Sequence, residues 1–255
     1  MRLGPLWRLR APAPAAAATA AAQPALAEPE PDARCQASGD RPAATAAAAR
    51  APLAERAAAI ATLDWPQLRQ GVAACRACGL CAERRQAVLG VGEINADWLF
   101  IGEGPGAEED ARGEPFVGPA GKLLDAMLAA IDLRRDKDVY IANTVKCRPP
   151  GNRTPELAEM SACAPFLQRQ IALIQPRVIV LLGRAAANSV LGEAGSLASL
   201  RGKSFVYPGS AIPVVVSYHP AYLLRTLHDK AKAWEDLCRA RALWRAASAA
   251  ATPPR

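Results

Sequence analysis

Four short apolar runs punctuate the chain from about residue 60 onward: Trp98–Ile101, Val139–Asn143, Val178–Leu182 and Pro213–Ser217. Each is about one strand long and lacks polar alternation, the pattern of strands buried on both faces. Helical stretches separate them. Asp64 can cap a short helix running towards Ala74, and Gly121–Ile131, Pro155–Ile174 and Arg184–Leu191 follow. Pro155 stands at an acceptable first-turn position. A last helix, about Lys230 to Ala247, carries Trp234, Leu237, Ala240 and Trp244 on one stripe. Strands alternating with helices predict an α/β fold, a parallel sheet covered on both faces, with ligands bound beyond the carboxyl ends of the strands.

The first 58 residues break this pattern. Nearly half of residues 11–50 are alanine, with interspersed proline, and Leu26 is their one large aliphatic residue. Such a segment cannot bury enough surface to offset its ordering entropy. Residues 1–58 are therefore expected to be a disordered tail, 59–248 the folded domain and 249–255 a disordered C-terminus. Cys35 falls in the tail as a bystander. No apolar run approaches the ~18 residues of a membrane span.

Net charge is +7, with lysine and arginine outnumbering acids from Arg201 onward. A polyanionic partner fits this, as does a solvated basic helix. The seven cysteines follow no secretory signal. They imply a reducing compartment, where thiols bind metal or do chemistry more often than they pair. Cys75 and Cys78 form C-x2-C, and fifteen residues lie between Cys147 and Cys163. Four thiolates suit a tetrahedral zinc or an iron–sulfur cluster, and spacing alone does not choose. Cys81 extends the first pair to C-x2-C-x2-C and competes as a ligand. Cys238 is expected in the core.

The residues after the strands carry the chemistry. Gly102-Glu103-Gly104-Pro105-Gly106 lets backbone approach a ligand closely. It matches neither a dinucleotide fingerprint nor a phosphate loop. Phe116, in a Pro/Gly-rich turn, can stack on a planar base or fill the core. Asn143 can read the edge of an amide-like base, since it both donates and accepts, or cap its turn. His219 follows the fourth strand and precedes Pro220, whereas His228 has no such setting and is expected at the surface.

Taken in order, CRACGLC…R, GEGPGAEEDARGEPFVGPAGKLLD, VYIANTVKCRPPGNRTP, VLLG and HPAYLLR resemble the family 4 uracil-DNA glycosylases. The resemblance runs from about Cys75 to Trp244. It implies a three-layer α/β/α fold around a four-stranded parallel sheet, and a [4Fe–4S] cluster held by Cys75, Cys78, Cys147 and Cys163. Cys81 lies outside that set. It implies a DNA-repair hydrolase that flips uracil from single- or double-stranded DNA and cuts its bond to the sugar. Such an enzyme would work as a monomer in the cytoplasm, beside the nucleoid if bacterial. GNRTP replaces the basic insertion of a DNA-cross-linking branch, which favours hydrolysis.

Roles follow from the same resemblance. Phe116 stacks on uracil, and Asn143 offers its oxygen to N3–H and its nitrogen to O4. His219 and backbone N–H groups around Gly102 and Gly104 stabilise negative charge at O2. Glu103 and Glu109 set negative charge near the sugar and orient water. Gly104 stands where other branches place an aspartate, so water activation is less direct. Asn152 orders the loop or water. Leu223, ahead of Leu224, fills the vacated stack, and Arg225 and Lys230 hold phosphates. A non-catalytic iron–sulfur module that binds nucleic acid or senses redox state is the alternative, but it leaves Asn143, Phe116 and His219 without a task.

Overall fold

The computed structural model describes residues 53–192 and 195–251. Most of the expected tail, Cys35 with it, and the last four residues of the expected C-terminal tail lie outside the described residues. A helix, α1, covers residues 53–61 and crosses the boundary expected at 58/59. Next come α2 (Trp65–Ala74), β1 (Val91–Gly92), β2 (Trp98–Gly102), α3 (Ala107–Arg112), α4 (Pro119–Ala129) and β3 (Val139–Asn143). Then follow α5 (Leu157–Ile174), β4 (Val178–Leu182), α6 (Arg184–Leu191), α7 (Leu197–Leu200), β5 (Phe205–Val206), β6 (Pro213–Ser217), α8 (Pro220–Arg225) and α9 (Lys230–Ala251).

The sheet has six strands in the order β1-β3-β2-β4-β6-β5, not the expected four. The four apolar runs form its parallel centre. Two-residue strands β1 and β5 add antiparallel edges. Edges this short show no periodicity for a pattern to reveal. β2, β3 and β4 are buried at every residue, which explains their unbroken apolar character.

Helices pack on both faces. Trp98, Phe100, Ile141 and Val180 join one core with residues of α4, α8 and α9, including Leu124, Leu128, Leu223 and Leu237. Leu99, Ile101, Ile179 and Leu181 join another with Leu167 and Ile171 of α5 and with α6. Each fully buried aliphatic chain contributes roughly 1.5–3 kcal/mol. A third core gathers Leu68, Val72, Met160 and Phe166 with Cys147 and Cys163. Among the described residues no helix is long and apolar enough to cross a membrane.

Helix starts follow local chemistry. Asp64 caps α2 in a reciprocal box with Gln67. Helix α5 starts two residues later than expected, leaving Pro155 outside it. Glu156 is extended, and Glu159 accepts from its N–H at 2.8 Å.

Candidate active site

The carboxyl ends of the four parallel strands open into a cavity of about 530 Å³. Gly102 pairs in register with Asn143, and Leu182 with Ser217, so the loops that follow start side by side. Backbone bonds join them further. Thr144 N–H donates to Gly102 O at 3.0 Å, its hydroxyl to Glu103 O at 2.5 Å, and Gly183 N–H to Ser217 O at 2.8 Å.

Asn143 is buried, and among the described residues its Oδ1 has no hydrogen-bond partner. An orphaned buried amide oxygen costs about 1–3 kcal/mol unless a ligand satisfies it. Gly102 lies behind it: a Cβ there would stand 2.5 Å from both Asn143 Oδ1 and Phe116 Cζ. The glycine is thus required by packing. Phe116 holds a left-handed backbone, φ 55°, uncommon for a bulky residue. Gly121 makes room, since a Cβ there would lie 1.7 Å from Phe116 O. Arg135 clamps the turn, donating to Pro115 O and Phe116 O at 2.8 Å each while bonded to Asp125.

His219 faces the Phe116 ring, with centroids 5.4 Å apart. It caps α8, where Nδ1 accepts from Ala221 N–H at 3.2 Å. The proton of the neutral ring therefore sits on Nε2. Burial, helped by Arg225 and opposed by Glu109, lowers its pKa to about 4. The imidazole is a neutral donor.

The two acidic candidates differ. Glu103 lines the cavity, and among the described residues its carboxylate meets no hydrogen-bond donor. Glu109 also lines the cavity, but its carboxylate accepts from Gly106, Val117 and Gly118 N–H at 3.1, 3.0 and 3.2 Å. It ties the glycine-rich turn to the Phe116 turn. Asn152 reaches the cavity with φ 57°, its Oδ1 held by Arg148 Nε at 2.7 Å.

Helix α8 corrects the wedge assignment. Leu223 is 1% exposed and packs in the core, whereas Leu224 is 42% exposed. Pro220 and Leu223, three apart, share the inward face and turn Leu224 outward. Arg225 reaches the cavity wall. Lys230 does not; it is exposed beside the groove between α4 and α9.

Cys75, Cys78, Cys81, Cys147 and Cys163 surround a second, smaller cavity, walled otherwise by apolar groups, Arg84 and Lys146. No imidazole or carboxylate among the described residues lines it. No set of three or more His, Cys, Asp or Glu among these residues is arranged to hold a metal ion. Burial pushes Cys163 up to about 11, and raises Cys78 and Cys147 as well. The Arg84 guanidinium opposes this at Cys147, donating to its Sγ at 2.8 Å, and Lys146 opposes it at Cys163; Arg56 donates to Cys75 Sγ at 3.5 Å. All-sulfur donors with nearby cations are the chemistry an iron–sulfur cluster needs. Cys238 is half-buried in α9, away from this cavity.

Several contributors carry no sequence signal of their own. Arg135 sits in an ordinary charged turn. Lys146 is 1% exposed, its pKa lowered to about 8 by burial, and only its place between Asn143 and Cys147 marks it out.

The pattern of the uracil DNA glycosylase superfamily matches residues 89–238. The chain is similar to the type-4 uracil-DNA glycosylase of Thermotoga maritima, 47% identical over 59% of this chain and 78% of that protein. It is 46% identical to the type-4 enzyme of Sulfurisphaera tokodaii, over 62% and 74%. Against that of Archaeoglobus fulgidus the identity is 45%, over 60% and 79%.

Proposed function

This chain belongs to the uracil-DNA glycosylase superfamily, among its type-4 members, and we propose that the strand-end cavity receives a flipped uracil read by Asn143. The protein is a uracil-DNA glycosylase, a hydrolase of N-glycosyl bonds acting in DNA repair. The observation that carries the site is the unpartnered, buried Asn143 Oδ1.

A base inside a duplex is out of reach, so it must leave the stack, at a cost of a few kcal/mol. Leu224 is exposed and suited to fill the gap, and Arg225 and Lys230 to hold nearby phosphates. In the cavity Phe116 packs against the uracil ring. Asn143 Oδ1 accepts from N3–H and its Nδ2 donates to O4. Cytosine presents an acceptor and an amino donor at those positions, so a fixed carboxamide rejects it.

The bond between uracil N1 and the sugar C1′ breaks with its electron pair leaving on uracil. Charge grows on O2, and the sugar becomes cationic. His219, neutral with its proton on Nε2, supports a donor role at O2, joined by backbone N–H groups of the Gly102–Gly106 turn. Glu103 is placed to favour the cationic sugar and orient water. Water adds hydroxide to C1′, and its proton balances the uracil anion. Glu109 acts through position, holding two turns of the cavity together, and Asn152 orders the loop.

Cys75, Cys78, Cys147 and Cys163 would hold a [4Fe–4S] cluster, which when bound supplies a cross-link between the N-terminal segment, the β3 loop and α5. Thiols that burial keeps protonated need the positive charge of iron to become ligands. The reading extends to uracil in single- or double-stranded DNA, to a monomer and to a reducing cytoplasm. The test is incubation of the purified protein with a uracil-containing oligonucleotide. Free uracil and an abasic site are expected. Binding without uracil release would identify a non-catalytic module.

A further inference from the structure

Lysine is a costly choice for a fully buried position. An apolar chain of similar length satisfies packing without desolvating a charge. Lys146 is nevertheless almost wholly buried. Its Nζ donates to Asn143 O at 2.9 Å and to Gln170 Oε1 at 2.6 Å. Gln170 is itself fixed, donating to Leu89 O at 3.0 Å and Tyr140 Oη at 3.2 Å. One buried network therefore runs from the peptide of Asn143 to α5.

That helix also carries Cys163, and Lys146 lines the cavity the five cysteines surround. Asn143 is the last paired residue of β3 beside β2. Beyond it Thr144 N–H still donates to Gly102 O at 3.0 Å, so the neighbouring strand holds one side of the Asn143–Thr144 peptide and the ammonium holds its carbonyl on the other. A small rotation of that peptide swings Oδ1, and a fixed amide discriminates only while its two atoms face the right partners.

We propose that Lys146 is a positioning residue for uracil recognition: its buried ammonium fixes the Asn143 peptide, and so the aim of the carboxamide, from the wall of the cysteine cage. The inference rests on the reading of Asn143 given above. It makes the cage and the uracil cavity mechanically continuous through one side chain.

The test is a double-mutant cycle on the binding of free uracil to the iron-loaded protein, using Lys146→Met, Asn143→Ala and the two combined. Iron content and thermal melting are followed for each. Lys146→Met is expected to weaken uracil at least about tenfold, the lower end of a charged hydrogen bond's worth. It should add little once Asn143 is alanine. Gln170→Met leaves the lysine in place and removes its other acceptor. Should Lys146→Met fail to fold, this variant is expected to weaken uracil by a smaller factor, again only when Asn143 is present. Equal losses in both Asn143 backgrounds, or none in either, would overturn the proposal. An unchanged uracil affinity for Asn143→Ala alone would instead overturn the reading of Asn143, and the inference with it.

Discussion

The strand-end cavity and the cysteine cage are built on opposite principles, although one loop, with Asn143 at one end and Cys147 at the other, serves both. The cavity is held by strand pairing and by side chains that bond nearby backbone. Strand register sets Gly102 beside Asn143, Glu109 ties two turns together, and Arg135 clamps the Phe116 turn. It stands ready and leaves one acceptor unsatisfied. The cage is held by side chains from segments far apart, and burial drives its thiols towards the protonated form. On the proposed reading, the cavity is preorganised for a guest that comes and goes, and the cage is completed by a resident one.

The sharpest way to break this contrast is to remove a cage ligand. Cys163→Ser is expected to lose iron and to lower stability by several kcal/mol, roughly the share a structural metal site contributes. Cys81→Ser should keep both colour and melting temperature. Iron per chain, absorption near 400 nm and thermal unfolding check both. A colourless, fully folded wild-type protein holding zinc would overturn the cage's assignment.

His219→Ala probes the cavity without touching the cage. The single-turnover excision rate should fall by about 10²–10³, the usual effect of losing one preorganised donor, with DNA affinity nearly unchanged. Because the folded pKa is lowered to about 4, the wild-type rate should show no inflection at His219's ordinary 6.5, and any inflection from this histidine should lie near pH 4. The sign for stability agrees. The folded state resists protonation, so this contribution is present above pH 6.5 and is lost as pH falls towards 4. A wild-type rate for His219→Ala at saturating enzyme would make the histidine structural.

Neighbouring leucines give a finer contrast. Leu223→Ala should cost about 2–5 kcal/mol of stability, as a core truncation does. Leu224→Ala should leave stability alone and slow uracil release from duplex more than from single strands, because only a duplex has a stack to fill. Equal effects on the two substrates would remove Leu224 from the wedge role.

These differences track what a linear chain can reveal. The four central strands are legible because burial on both faces leaves them uniformly apolar, while the two-residue edges carry no pattern at all. Asn143 and His219 stand at or just after strand ends, where position alone marks them, and Phe116 stands in a Pro/Gly-rich turn between α3 and α4. Telling Leu223 from Leu224 needs the phase of a six-residue helix, which no periodicity in so short a segment fixes. Glu109 and Glu103 look alike in the sequence, yet the glycine three residues before Glu109 marks a helix start whose N–H its carboxylate accepts. Lys146 and Arg135 were invisible because their partners lie in other elements: Gln170 on α5, and the carbonyls of the Phe116 turn.

The central claim is that a fixed carboxamide selects uracil, and Asn143→Asp tests it most directly. The substitution keeps size and shape but replaces the donor to O4 with a carboxylate oxygen. Excision rates are measured on matched oligonucleotides carrying uracil or cytosine at one position. The account predicts that the uracil preference falls by an amount worth about 1–3 kcal/mol, as for other bidentate base contacts. An unchanged preference would contradict it.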